Sequence, residues 1–272
     1  MQYSAYLPLV RQQAPLVSCY TNFVTVNDCA NLLLAAGARP IMSCDSRESE
    51  EICAQTNALV LNIGTPTDNL QKAMFSAIAS AHDLEIPVIL DPVGCCSTEL
   101  RLQLARELAG NADLYAIRGN AAEIMAMERG EIIEPSGVDS LSEQNPEELI
   151  PVVSSLANTY GTVVCASGPV DVISDGSHVI LVRNGHPMLP RITGSGCMST
   201  VLIAAFAAVN DTIPLRAAAA GVVTMGIAGE LAARNLTPRV GVGTYRTLLI
   251  DAIDLMTEDD FEELADYEER RA

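Results

Sequence analysis

Residues 58–63 read Ala-Leu-Val-Leu-Asn-Ile, and residues 88–90 read Val-Ile-Leu. Both runs are apolar on both faces, which predicts strands buried between two layers of helices. Further strands are predicted at residues 40–43, 114–117, 162–166 and 170–174. Helical patterns lie between the strands at residues 27–36, 47–55, 67–83, 98–109, 120–128 and 146–159. This alternation predicts an α/β fold with a mainly parallel, doubly wound central sheet and helices on both faces.

The pattern changes after these units. Residues 178–182 predict an added edge strand, which ends at an Asn184-Gly185 turn. Beyond Gly194 we expect helices to the end of the chain, including an acidic terminal helix around Phe261, Leu264 and Tyr267. No linker or low-complexity stretch divides the sequence, so we expect a single domain over residues 1–272.

Composition limits the partners that the protein can have. The formal net charge is −18, with 34 acidic and 16 basic residues, which disfavours nucleic acids and anionic membrane surfaces. The apolar stretches near 198–209 and 217–229 are shorter than the roughly 20 residues of a membrane span, so we expect buried helices. The start of the chain shows no secretory signal pattern, and the eight cysteines show no Cys-x-x-Cys spacing. We therefore expect a cytoplasmic protein with reduced core thiols and no zinc site.

A glycine-rich turn, Thr-Gly-Ser-Gly-Cys at residues 193–197, precedes a long apolar helix. We expect its backbone N–H groups to converge at the positive end of the helix dipole and to form a hole for a transferring phosphoryl group. The residues of this anion hole are Gly194, Ser195, Gly196 and Cys197. The helix end is expected to favour the thiolate of Cys197, which makes this residue a candidate catalytic base. The alternative is a tight loop with an inert buried cysteine.

Polar residues follow several predicted strands, where ligands bind in open parallel sheets. Asp91 is a candidate magnesium ligand, or else an Asp that caps a turn. Arg118 suits a phosphate, whereas Asn120 and Glu123 fit a capping box that explains both residues without a ligand. Ser167 begins a hydroxyl and glycine turn that suits a nucleotide phosphate, although alone it indicates only a hairpin turn.

Two residues nearer the start of the chain are candidate substrate contacts. Asn22 lies in a segment dense in amides and hydroxyls, which indicates either a ligand contact or a cap. Met42 follows a predicted strand, where its thioether suits a small ring, although a Met at such a position is more often part of the core.

Taken together, the motifs occur in the order found in one family. They are Thr21-Asn22, Asn27, Gly37-Ala38-x-Pro40-x-Met42, Asn62-Ile63-Gly64-Thr65, Asp91-Pro92-Val93-Gly94, Ile117-Arg118-Gly119-Asn120-Ala121-x-Glu123-Ile124 and Thr193-Gly194-Ser195-Gly196-Cys197. Each motif alone is weak, but the combined set is specific. From about Pro15 to the C-terminal helices, the chain resembles the hydroxyethylthiazole kinase family.

The resemblance implies a ribokinase-like fold, transfer of the ATP γ-phosphate to the hydroxyl of 4-methyl-5-(2-hydroxyethyl)thiazole in thiamine salvage, and a homotrimer with sites between subunits. It also implies a role for each matching residue. The thiazole is assigned to Met42 and Gly194, with Asn22 as the further candidate substrate contact named above, ATP to Arg118 and Ser167, and Mg²⁺ to Asp91 and Glu123. Cys197 stands where many ribokinase-like enzymes have an aspartate base.

The sequence departs from the family pattern at three places. Ser167 replaces the usual Thr but keeps the hydroxyl, Cys95-Cys96 replaces small residues, and Ser18-Cys19-Tyr20 replaces His-Ser-Ile. These changes bear on the shape of the pocket and on ring specificity. Two alternatives therefore stay open: a kinase of another vitamin-precursor alcohol, of the pyridoxine or hydroxymethylpyrimidine type, and a noncatalytic sensor of a thiazole or nucleotide.

Overall fold

The computed structural model describes residues 2–133, 145–209 and 212–272. Its strands form one nine-stranded sheet in the order β2-β1-β3-β4-β5-β6-β7-β8-β9. The strands are β1 (Leu16–Tyr20), β2 (Arg39–Met42), β3 (Ala58–Asn62), β4 (Val88–Asp91), β5 (Leu114–Asn120), β6 (Val163–Ser167), β7 (Asp171–Ser174), β8 (His178–Val182) and β9 (Tyr267–Arg271). The strands from β2 to β6 in this order are parallel, and β7, β8 and β9 add antiparallel strands.

Helices cover both faces of the sheet. They are α1 (Tyr6–Gln13), α2 (Val26–Ala35), α3 (Ser49–Cys53), α4 (Asp68–Asp83), α5 (Glu99–Asn111), α6 (Ala121–Arg129), α7 (Pro146–Tyr160), α8 (Ser195–Ala207), α9 (Pro214–Arg234), α10 (Val242–Leu255) and α11 (Glu258–Leu264). Helices α1, α2 and α8–α11 share one apolar core with one face of the sheet, and α3–α7 share a second core with the other. Val60 belongs to the first core, whereas its neighbours Leu59 and Leu61 belong to the second. The predicted α/β fold with two helical layers is confirmed.

Two strands differ from the prediction. Strand β1 was not predicted, because Ser18 and Tyr20 interrupt its apolar character, yet it lies between β2 and β3 inside the sheet. At the other end of the chain, the acidic helix stops at Leu264, and β9 follows it. The predictions of a helix through Tyr267 and of β8 as the edge strand are therefore wrong. The free edge of β8 provides hydrogen-bonding partners for β9, and this tertiary pairing outweighs helical periodicity.

The predicted buried helix near residues 217–229 is α9, which is longer than predicted. Its 21 residues meet the length and composition of a membrane span, but 78% of the apolar window is buried inside the protein. The glycines of α9 allow close packing: a Cβ atom on Gly221 would lie 2.8 Å from Ile203 Cγ1, and one on Gly226 would lie 2.6 Å from the Asn184 backbone oxygen. Both glycines therefore lie at close-packed positions, and Gly226 also borders a cavity.

Candidate active site

The predicted site residues gather at the carboxyl edge of the parallel sheet, where they meet the amino end of α8. Asp91 and Arg118 lie at the ends of β4 and β5, and Ser167 ends β6. Asn22 follows β1. Residues far apart in sequence are thus brought to one edge because the parallel strands all end there.

The glycine turn begins α8 as predicted. Gly194 is the N-cap and has a φ of +90°, in the left-handed region that favours glycine. A Cβ atom at this position would also lie 2.7 Å from Thr25 Cγ2, so space and conformation both require glycine. Met198 N–H donates to the Gly194 carbonyl over 2.8 Å, which closes the first turn. The N–H groups before Met198 have no carbonyl earlier in the helix to bind, which leaves them available to an anion.

Arg118 lies against this helix end. Its Nη2 donates to Ser167 Oγ over 2.9 Å, and Ser167 Oγ donates in turn to the Gly119 carbonyl over 3.3 Å. A Cβ atom on Gly196 would collide with Arg118 Nη1, so the guanidinium group lies across the first turn of α8. The positive charge therefore adds to the field of the helix end.

A cavity of about 670 Å³ opens from this point. Arg118, Ser167, Ser195 and Gly196 line it at the sheet edge. The remaining walls are Asn120, Ala121, Ala122, Gly168, Pro169, Asp171, residues 183–187, Leu189, Pro190, Ser199, Val222, Met225 and Gly226. A cavity of this size, with polar side chains among largely apolar walls, is typical of a site that orients a small-molecule ligand.

Asp91 is buried on the other side of the helix end. Its Oδ2 accepts hydrogen bonds from Asn62 Nδ2 over 2.7 Å and from Thr200 Oγ1 over 2.9 Å. Its Oδ1 is buried without a hydrogen-bond partner. Burial raises the pKa of Asp91, and the Arg118 guanidinium opposes this shift. A buried carboxylate oxygen without a donor fits a cation ligand.

Glu123 forms the predicted capping box and also lies near Asp91, the other candidate magnesium ligand. The capping box is present: Glu123 Oε2 accepts from Asn120 N–H over 2.8 Å, and Asn120 Oδ1 accepts from Glu123 N–H over 2.9 Å. Glu123 Oε1 also accepts from Gly94 N–H over 2.8 Å, which ties α6 to the turn after β4. Burial raises the pKa of Glu123 to about 7, and the nearby Asp91 carboxylate acts in the same direction.

The repulsion between Asp91 and Glu123 is what a bound cation would relieve. Within the described ranges, no group of three or more His, Cys, Asp or Glu side chains forms a protein-only metal site. Two carboxylates that leave the remaining positions to phosphate oxygens and water suit Mg²⁺. The residues therefore fit this ion, and their assignment as its ligands stays a prediction.

Cys197 is buried beside Asp91. Its Sγ accepts from Asn62 Nδ2 over 3.2 Å and from Asn22 Nδ2 over 3.5 Å. Burial raises the pKa of the thiol to about 11, and the Asp91 carboxylate acts in the same direction. The expected shift toward thiolate is therefore wrong, because desolvation and a neighbouring negative charge outweigh the helix end. The catalytic role of Cys197 stays a prediction.

The two candidate substrate contacts both have structural functions. Asn22 Oδ1 accepts from Thr25 N–H over 3.0 Å, so Asn22 caps its own loop, while Nδ2 points to Cys197. Met42 ends β2, is half-buried and packs against the first core. The alternatives of a cap and a core residue are thus present, and contact with a thiazole stays a prediction for both residues.

Sequence reasoning missed the roles of Asn62 and Thr200. Asn62 is part of a family motif, and an amide that ends the apolar run of β3 is a visible signal, but its bonds depend on the packing of other elements. Thr200 lies among apolar residues of α8, and only the packing of α8 against β4 reveals its bond to Asp91.

Comparison with known proteins agrees with the motifs and with the fold. The model of the "Hydroxyethylthiazole kinase family" matches residues 7–259. The hydroxyethylthiazole kinase of Clostridium tetani is 42% identical over 264 residues, which are 96% of this chain and 95% of the relative. That of Natranaerobius thermophilus is 40% identical over 265 residues, which are 97% and 95% of the two chains.

Solved structures extend the comparison. The hydroxyethylthiazole kinase of Pyrococcus horikoshii has a TM-score of 0.88 at 34% identity and covers 98% of each chain. The pyridoxal kinase of Staphylococcus aureus in complex with AMP-PCP and pyridoxal has a TM-score of 0.62 at 10% identity, covers 94% of this chain and 98% of the other, and shows the shared fold alone. A family model over most of the chain, curated relatives at about 40% identity and a matching structure lead to one conclusion: the chain belongs to the hydroxyethylthiazole kinase family.

Proposed function

We propose that the protein transfers the γ-phosphoryl group of ATP to the hydroxyl of 4-methyl-5-(2-hydroxyethyl)thiazole in thiamine salvage. One observation carries the proposal: the amino end of α8 and the Arg118 guanidinium converge at the mouth of a cavity, next to a buried cysteine and a buried carboxylate. Phosphoryl transfer depends on positioned donors and positive charge that stabilise the transferred group, and this convergence provides both.

The 670 Å³ cavity is the proposed ATP site. Its volume lies in the range of nucleotide-sized ligand sites, and Arg118 and Ser167 mark the phosphate end. The apolar side chains of Val222 and Met225 line the part farther along α9, where a base and ribose have room. The planar donors of Arg118 suit two phosphate oxygens at once.

The catalytic residues act mainly by position and charge. The N–H groups of Gly194, Ser195, Gly196 and Cys197 receive the migrating phosphoryl group, and Arg118 offsets its charge. Asp91 and Glu123 would hold Mg²⁺, which neutralises phosphate charge when it is bound. We assign the substrate side to Asn22, Met42 and Gly194, which are grouped around the ends of β1 and β2 and the start of α8.

Cys197 is the proposed acceptor of the hydroxyl proton. In a loose transition state the hydroxyl loses its proton late, when its oxygen is already bonding to phosphorus, so a small fraction of thiolate can support the reaction. Because the pKa of the thiol is raised to about 11, little thiolate is present at neutral pH. The expected consequence is slow turnover that increases with pH.

The domain organisation, compartment, assembly and partners of the protein are inferred with the help of the family resemblance. We propose a single-domain, cytoplasmic enzyme that assembles as a homotrimer with sites completed at subunit contacts, and that binds neither nucleic acid nor membranes. The continuous nine-stranded sheet supports a single domain, and the net charge of −18 disfavours nucleic-acid and anionic membrane partners, whereas the trimer rests on the family resemblance alone. Light scattering tests the assembly: a particle of three 28.9 kDa chains is expected, and a monomer of that mass contradicts the trimer.

The activity is tested by coupled ADP release with purified protein, ATP, Mg²⁺ and the thiazole alcohol. Release that depends on the thiazole alcohol supports the proposal. Pyridoxine and hydroxymethylpyrimidine are assayed side by side, and faster turnover of either one would assign the enzyme to that alcohol instead. Binding of ADP without turnover of ATP in the presence of any alcohol would indicate a sensor.

A further inference from the structure

The side chain of Asn62 makes four hydrogen bonds beside the site. It ends β3 and is 1% exposed. Its Nδ2 donates to Asp91 Oδ2 over 2.7 Å and to Cys197 Sγ over 3.2 Å. Its Oδ1 accepts from Asn22 Nδ2 over 2.9 Å and from Gly64 N–H over 3.0 Å. A side-chain amide has two donor hydrogens and two acceptor lone pairs, so every hydrogen-bonding position of Asn62 is used.

The fold explains why one residue reaches all of these groups. Asn62 and Asp91 are register partners at the ends of neighbouring parallel strands, so their side chains point to the same face of the sheet. Helix α8 crosses this face and brings Cys197 next to both residues, with Thr200 one turn further along. Asn62 therefore lies where two strand ends, the loop after β1 and the amino end of α8 meet.

The hydrogen bonds of Asn62 also determine which oxygen of Asp91 is left without a donor. Asn62 and Thr200 both donate to Oδ2, and Oδ1 is buried without a partner. Removal of the Asn62 donor leaves Thr200 alone to hold Oδ2, so the orientation of the carboxylate is less restricted. The sulfur of Cys197 loses, at the same time, the shorter of the two amide donors that hold it.

We propose that Asn62 is a positioning residue for phosphoryl transfer, whose single amide holds the Asp91 carboxylate and the Cys197 sulfur in a fixed relation. The inference rests on the proposed function, and it assigns Asn62 no contact with substrate. An Asp at this position keeps an oxygen for Asn22 and Gly64 but loses both N–H donors. It also places a second carboxylate oxygen against Asp91 Oδ2, so Asn62→Asp both removes the donors and adds a repelling charge. Asn62→Leu removes the donors and the acceptor.

Asn57 provides the matched control. It lies just before the other end of β3, and its Oδ1 accepts from Leu16 N–H over 2.8 Å. Asn57→Asp keeps that acceptor in the same strand, away from the site. The measurements are kcat and KM for both substrates, ADP affinity by calorimetry without metal, and the melting temperature of each variant.

For Asn62→Asp we expect kcat to decrease by about tenfold or more, since loss of precise orientation acts on the transition state. The KM for ATP and the ADP affinity are expected to stay within about threefold of wild type, because Asn62 does not line the cavity. Asn62→Leu is expected to show at least the same loss of kcat. Asn57→Asp is expected to match wild type in every measurement.

Three results would overturn the inference. The first is a kcat for Asn62→Asp within about twofold of wild type. The second is a parallel loss of kcat, ADP affinity and melting temperature, which indicates a general structural role. The third is failure of both variants to fold, which likewise indicates that Asn62 serves the fold as a whole. A wild-type protein that binds ADP but turns over no ATP with the thiazole alcohol instead contradicts the proposed function, and the inference with it.

Discussion

At the residue scale, the site depends on groups whose burial changes their chemistry. The place of Cys197 at a helix end predicts a thiolate, but the structure surrounds this residue with core side chains and with Asp91. Burial, together with the smaller effect of the nearby Asp91 carboxylate, raises the pKa of Glu123 to about 7. Because these carboxyl groups are buried, water does not stabilise their negative charge, and a bound cation would do so.

Gly194 is the residue at which the smallest change should have a large effect. We expect Gly194→Ala to decrease kcat by about 100-fold or more, because the left-handed φ and the approach of Thr25 Cγ2 both oppose a Cβ atom and would displace the anion hole. The control is Gly110→Ala in α5, where a Cβ atom would meet nothing within 4 Å and activity should be unchanged. Equal activity of the two variants would argue against the hole.

Cys197→Ala tests the base assignment. We expect kcat to fall by about 10- to 100-fold, which is a small loss for removal of a general base, and we expect the variant to fold. The wild-type kcat should rise from pH 7 to pH 9, because below a pKa of about 11 the thiolate fraction increases with pH, and the variant should lose this slope. The control is Cys44→Ser, a change at an exposed cysteine. Undiminished turnover of Cys197→Ala would remove the assignment.

At the scale of elements, α8 and α9 connect packing with function. Helix α8 supplies the proposed anion hole from its first turn and core residues from the rest of its length. Helix α9 packs beside it and lines the cavity through Val222, Met225 and Gly226. Two glycines of α9 allow this close packing: Gly226 lines the cavity, whereas Gly221 packs against Ile203 in the core.

Two glycines of α9 should therefore give separable effects. Gly226→Ala is expected to push the Asn184 backbone outward and raise the KM for ATP by about fivefold or more, since Asn184 and Gly226 both line the cavity. Gly221→Ala meets Ile203 in the core and should lower the melting temperature with little change in KM. Thermal melts and steady-state kinetics on both variants check this, and equal KM values would contradict it.

At the scale of the whole molecule, the sheet and its two helical layers bring residues from most of the chain to one edge. Asn22 and Cys197, which touch there, are 175 positions apart in sequence. The antiparallel addition of β7, β8 and β9 extends the sheet beyond the strands that carry the site. A ligand that binds the folded state at this edge is therefore expected to shift the folding equilibrium toward the folded protein.

Global stability should respond to magnesium in a pH-dependent way. With ADP present, we expect Mg²⁺ to raise the melting temperature more at pH 8 than at pH 5.5. The pKa of Glu123 is raised to about 7, so its carboxyl group is mostly protonated at pH 5.5 and mostly charged at pH 8. Without the ion, the same raised pKa makes charging of Glu123 in the folded state unfavourable, and its contribution to stability falls as pH rises from 4.5 through 7.

Asp91→Asn should abolish the added stabilisation, whereas Glu107→Gln, a change on the exposed surface of α5, should preserve it. Scanning fluorimetry at the two pH values makes the comparison. An equal magnesium shift at both pH values would contradict the assignment of Glu123, and an unchanged shift in Asp91→Asn would contradict that of Asp91.

The sequence alone determined the repeated units of the fold and the motifs of the site. Apolar runs such as residues 58–63 predict buried parallel strands, because a strand covered by helices on both sides is apolar on both faces. The type and position of Gly194 and Arg118 indicate a phosphate site. The capping box of Asn120 and Glu123 is likewise a local feature, and the structure contains it.

Only the tertiary structure decided what depends on neighbours distant in sequence. Strand β1 exists because β2 and β3 lie on either side of it, and β9 exists because β8 offers a free edge. The raised pKa of Cys197 and the connections of Asn62 arise where α8 packs over β3 and β4. Periodicity records the burial of a single segment, whereas desolvation and shared hydrogen bonds depend on which segments meet.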